Sequence, residues 1–177
     1  GDSPERNGIP AKQFAIVADN PEELEESLAV YEASEVDVTI TLDDTLCKGV
    51  ESWAWYGFQP INELTKSNGT LIVTSRQDAA SLIEDIHQKD LPYNLAILTG
   101  TPSYSGLWVF KDDHTDVRVL GALSRVCPQL VSQESMLEAL REQYDNETKV
   151  ASAMKSHDRV VLRPVEPGEG KAEAKVK

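Results

Sequence analysis

Histidine, cysteine and aromatic residues are scarce in this 177-residue chain: three histidines, two cysteines and 6% aromatics. Cys47 and Cys127 stand far apart with no CxxC partner, so this stretch assembles neither an iron–sulfur cluster nor a structural zinc site from its own thiols. They read as reduced, buried cysteines, because a free thiol behaves as a small hydrophobe. His87, His114 and His157 fall in different segments, each flanked by charged or polar residues. None has a second histidine or a cysteine at i+3 or i+4, which reads as three solvated surface side chains. The sequence also lacks a GxSxG elbow, a GxxxxGK[ST] phosphate loop and a GxGxxG turn, so no catalytic residue and no metal ligand is assigned.

Positive charge is the next shortage. Seventeen Lys and Arg face thirty Asp and Glu, for a net charge of −13 and an isoelectric point near 4.6. Such a field repels phosphate backbones and anionic lipid, and no basic patch offsets it, so neither nucleic acid nor a membrane surface is an expected partner. Lys171, Lys175 and Lys177 are interleaved with Ala and Glu in a solvated tail. No apolar run approaches a membrane span, and GDSPERNG has neither a charged nor an apolar leader region, which predicts a cytoplasmic location.

What is present is an alternation of short apolar strands and helical patterns. Lys12–Val17 (KQFAIV) is β-prone, and Asn20-Pro21-Glu22-Glu23 then supplies a cap, a first-turn proline and acids that oppose the dipole. A helix is expected over about 21–32, with Leu24, Leu28 and Tyr31 on one face against a sheet. Val36–Leu42 (VDVTITL) reads as a strand opening into Asp43-Asp44-Thr45. The aromatic stretch over 50–66, with Trp53, Trp55, Tyr56 and Phe58, is read as helical. Asn68-Gly69 marks a turn before the buried strand Thr70–Thr74. A helix over 78–89 buries Ala79, Leu82, Ile83 and Ile86, and Leu95–Leu98 is a further apolar strand.

Beyond Gly106, the chain offers the short run LWVF, a helix over about 115–126, and Ser132-x-x-Ser135 leading into the stripe Met136, Leu137, Leu140 and Tyr144. Val160–Leu162 is the last run with strand character. Strands too apolar for a solvated face imply an α/β class with a mostly parallel sheet covered on both sides. One domain is expected over 1–163 and a flexible tail over 164–177, where almost nothing is available to bury.

Acids at the carboxyl end of a central strand occupy the place where open α/β sheets bind ligands, which makes Asp43 and Asp44 candidates for a metal or ribose contact. The alternative is that one caps the next helix while the other faces water. The segment Thr99–Gly106, rich in Thr, Ser and Gly, reads as an anion cradle or, preferably, an interface loop. Ser3-Pro4-Glu5-Arg6-Asn7-Gly8-Ile9-Pro10 is a stiff polar loop placed before the first strand.

These features, in this order, resemble the gamma subunits of the 2-oxoacid:ferredoxin oxidoreductases. Ser3 to Gly8 resembles that family's G-P-E-x-R-G-G loop, and Asp43-Asp44-Thr45-Leu46 its Asp-x-Thr-Leu turn. The strand ending in Thr74-Ser75 resembles the family's apolar strand ending in Asn-Ser. Leu120-Gly121-Ala122 resembles an L-G-A helix, and Ser132–Leu140 the helix that follows it. Two departures stand out. The family's G-x-G-G-Q-G loop would precede this stretch, and Asn7 stands where the pattern often has a cation.

The resemblance implies a three-layer, Rossmann-like, mostly parallel open sheet in a non-catalytic gamma-type subunit that covers an active-site region. Glu5, Arg6, Asn7 and Gly8 would face the active site, with Asp43, Thr45, Thr74 and Ser75 as ligand or interface positions. Partner chains of alpha, beta and delta type would hold thiamine diphosphate, Mg and [4Fe–4S] clusters, and ferredoxin would accept electrons from the complex. Use of coenzyme A is left open by the two departures, and a coenzyme-A-independent member acting on oxalate fits them. A free-standing Rossmann-like module binding a nucleotide or small anion is the alternative.

Overall fold

The computed structural model describes residues 12–28, 33–48, 60–86, 90–99 and 114–169. The chain divides into two compact units, Gly1–Ser34 and Glu35–Lys177. In the first, helix α1 spans Pro21–Leu28, and the Asn20 side chain caps it by accepting from the Glu23 N–H at 2.9 Å. Residues 12–17, read as a β-prone run, form no strand among the described residues. Phe14, Ile16 and Val17 remain 37%, 42% and 72% exposed. β propensity reports fit to a neighbouring strand, and without one it produces no ladder.

The second unit is a mixed α/β layer structure. Strands β1 (Val36–Thr41), β2 (Thr65–Ser75), β3 (Tyr93–Thr99) and β4 (Val161–Val165) form one sheet in the order β1-β2-β3-β4. The first three run parallel, and β4 joins β3 antiparallel. Its α-helices among the described residues are α2 (Ala79–Asp85), α3 (Thr115–Val126), α4 (Gln133–Gln143) and α5 (Glu147–Arg159). Helices lie on both faces of the sheet, the three-layer Rossmann-like arrangement that the sequence implies.

The near-continuous apolar character of β2 and β3 follows from burial on both faces. Leu71, Val73, Leu95 and Ile97 point to one side, where Leu82, Ile83 and Ile86 of the α2 segment cover them. Ile72, Ala96 and Leu98 point to the other, against Val119 and Ala122 of α3. A third cluster joins the helices to each other through Val117, Met136, Leu140, Val150 and Ala153.

Several boundaries differ from the sequence reading. Thr65 and Lys66, read as the end of a helix, begin β2, and among the described residues just before them Ile61–Leu64 forms a single 3-10 turn. Asn68-Gly69 is no turn between elements but an irregularity inside β2. Val36 pairs with Thr65 while Val38 pairs with Thr70, so β2 accommodates extra residues. Asn68 takes φ +61 to do so, a conformation that asparagine tolerates better than most residues. A Cβ on Gly69 would lie 2.8 Å from the Lys66 carbonyl oxygen and 2.9 Å from that of Asp37.

Helix α5 was absent from the sequence reading. Its start is nonetheless written locally, since the Asn146 side chain accepts from the Thr148 N–H at 2.9 Å. β4 continues to Val165, past the expected start of a flexible tail at 164, because Val165 is buried (2% exposed) opposite Tyr93. Pro164 is tolerated there because β4 is an edge strand. The expected helix at 50–59, the run LWVF and most of Thr99–Gly106 lie outside the described residues.

Candidate polar site at the carboxyl end of the sheet

The sheet delivers two polar segments to neighbouring positions: Asp43 to Lys48 after β1, and Ser75 to Asp78 at the end of β2. Asp43 caps the 3-10 helix Asp44–Cys47, its carboxylate accepting from the Thr45 N–H at 2.8 Å. Asp44 does not face water. Its Oδ2 accepts from the Ser75 hydroxyl at 2.6 Å and pairs with Lys48 Nζ at 3.2 Å, with side-chain exposures of only 14% and 22%.

The network then closes on itself. Ser75 Oγ, fully buried, also accepts from the Gln77 N–H at 3.0 Å. Lys48 Nζ donates to Gln77 Oε1 and lies 3.7 Å from Asp85 Oδ2. Gln77 Nε2 donates to that same carboxylate oxygen at 2.9 Å. Lys48 thus sits between two carboxylates on separate elements and ties the end of β1 to β2 and α2.

Of the residues singled out by sequence, the fold brings Ser75 to Asp44 rather than to Asp43 or Thr45. Thr74 is buried within β2, opposite Leu98. Glu5, Arg6, Asn7 and Gly8 lie outside the described residues. Sequence reasoning missed Lys48, Gln77 and Asp85. The i,i+4 spacing of Asp44 and Lys48 is a readable signal, whereas Gln77 and Asp85 enter only through strand pairing.

Replacing Lys48 with methionine keeps the stem's bulk and removes the cation between Asp44 and Asp85. Partly buried pairs fall between the small value of exposed ion pairs and the large penalty of an abandoned buried charge, so a loss of roughly 1–2 kcal/mol is expected. Urea denaturation checks this. A midpoint equal to that of the parent would remove the bracing role assigned to Lys48.

The thiol beneath this network is inert. Cys47 is fully buried, its Sγ donating to Thr41 Oγ1 at 3.7 Å. Burial pushes its pKa up to about 12, from an ordinary value of 9.0. The raised value means the unfolded state releases its proton first as pH rises. The stability Cys47 contributes is therefore full below about pH 9 and is lost between about 9 and 12. Burial acts in the same direction on Cys127 and Tyr93. Cys47→Ala is accordingly expected to shallow the alkaline decline of stability without abolishing it, measured as denaturation midpoint against pH. An unchanged slope would show that the Cys47 thiol is not held neutral.

Two histidines differ from the sequence reading, and the third, His87, lies outside the described residues. His114 Nδ1 lies 2.7 Å from Ser152 Oγ, and His157 Nδ1 lies 2.9 Å from Ser124 Oγ. Both rings are half-buried between α3 and α5 rather than solvated. Ser124 donates its one hydroxyl proton to the Gly121 carbonyl oxygen at 2.9 Å, so it accepts from His157 and places a proton on Nδ1. These pairs join helices and form no metal cluster; no group of three His, Cys, Asp or Glu suited to a metal occurs among the described residues. Among those residues, no helix is long and apolar enough to cross a membrane.

The parallel strands follow one another in order, with no reversal among the described strands. A reversal in strand order is what opens a ligand crevice at the carboxyl ends of such sheets. No protein-family model matches the chain, and no curated protein matches it. Solved structures that resemble it include the PORC subunit of pyruvate oxidoreductase from Thermotoga maritima, at 16% identity and a TM-score of 0.49. That likeness covers 73% of this chain and 66% of the subunit. Similarity at this level carries no functional argument.

Proposed function

We propose that this chain is a non-catalytic, gamma-type subunit of a thiamine-diphosphate-dependent 2-oxoacid:ferredoxin oxidoreductase. The observation that carries the reading is the closed network at the carboxyl ends of β1 and β2. Asp44, Ser75, Gln77, Lys48 and Asp85 satisfy one another, so the end of the sheet where α/β enzymes usually hold substrate is braced. A braced end suits a chain that supports a partner's active site. The family likeness of the sequence, from the Ser3–Gly8 loop to the Ser132–Leu140 helix, supplies the type of partner.

In this reading, thiamine diphosphate, Mg and [4Fe–4S] clusters belong to alpha, beta and delta-type subunits, and ferredoxin takes electrons from the assembled complex. Among the described residues, the two cysteines are separately buried and no group of three His, Cys, Asp or Glu suited to a metal occurs. The chain's part is to cover the active-site region and shape access of the 2-oxoacid, oxalate being one such substrate, or of coenzyme A. Glu5, Arg6, Asn7 and Gly8 are assigned to the side facing the cofactor-bearing partner.

Mild purification of the protein from its native source tests the proposal. Larger iron-containing chains should accompany it in fixed ratio, and the complex should reduce ferredoxin when supplied with a 2-oxoacid. Recovery of a lone, colourless monomer would overturn the assignment.

A further inference from the structure

We draw no further inference here: the strongest candidate, the exposed apolar row of Ile40 and Leu42 at the carboxyl end of edge strand β1, carries nothing because nothing in the structure shows what covers it.

Discussion

Gly121→Ala is expected to destabilise the protein by roughly 2–3 kcal/mol, the upper part of the range for overpacking a tight interior. In an isolated helix the same change would stabilise by about 1 kcal/mol, because glycine is the poorer helix former. The sign reverses because α3 and α5 meet backbone to backbone at this residue. A Cβ on Gly121 would lie 2.1 Å from the Ala153 carbonyl oxygen and 2.8 Å from its carbonyl carbon. Neither atom is the end of a flexible side chain, so the helices must separate. Separation would also stretch the His114–Ser152 and Ser124–His157 bonds that flank the contact. Urea denaturation of the variant reads the effect, and a parent-like or higher midpoint would overturn the close α3–α5 approach.

Leu82→Ala is expected to cost about 3 kcal/mol, within the range for truncating a buried leucine. Leu82 is fully buried on the one apolar stripe that joins α2 to Leu71, Val73, Leu95 and Ile97. Helix α2 is only seven residues long, too short to persist on propensity, and depends on this contact and on its cap. The cap comes from Asp78, whose carboxylate accepts from the Ala80 and Ser81 N–H groups at 3.0 and 3.1 Å. Those bonds hold the Asp78 carboxyl below its ordinary pKa. Hydrogen exchange separates local from global effects. Amides of α2 should lose protection first in Leu82→Ala, whereas equal loss throughout the sheet would show that α2 does not open by itself.

Both variants act on positions whose residue type was legible while its consequence was not. Leu82 was assigned to a buried helical face from the spacing of Ala79, Leu82, Ile83 and Ile86. Gly121 sat inside a helix correctly read over 115–126, yet nothing in the sequence identified the backbone that crosses it. The partner helix α5 escaped notice because Val150 and Ala153 present a short apolar stripe between charged residues, a weak periodic signal. The buried strands were clear, since Leu71, Ile72 and Val73 place apolar groups on both faces. By contrast, KQFAIV has the composition of a strand and forms none among the described residues.

At the candidate site, Asp43 illustrates what local chemistry decides. An aspartate two residues before a backbone N–H caps a turn wherever the fold carries it. Asp44 illustrates the opposite. Its neighbours in sequence allow it to face water, and only the parallel register of β1 with β2 carries Ser75 to it, 31 residues along the chain. Lys48 became the central cation for the same reason, since Gln77 and Asp85 reach it from the β2–α2 connection and from α2.

Within the described residues, the sequence alone therefore determined the α/β class, the buried apolar strands, the cap at Asn20, and the burial of both cysteines. These depend on hydrophobic pattern and on hydrogen bonds within a few residues, which survive any arrangement of the elements. Only the tertiary structure decided that the carboxyl-end acids are consumed in a salt-bridged brace, that two histidines join helices, and that Gly121 admits no side chain. Those outcomes depend on distances between segments tens of residues apart, which sheet register and helix crossing set.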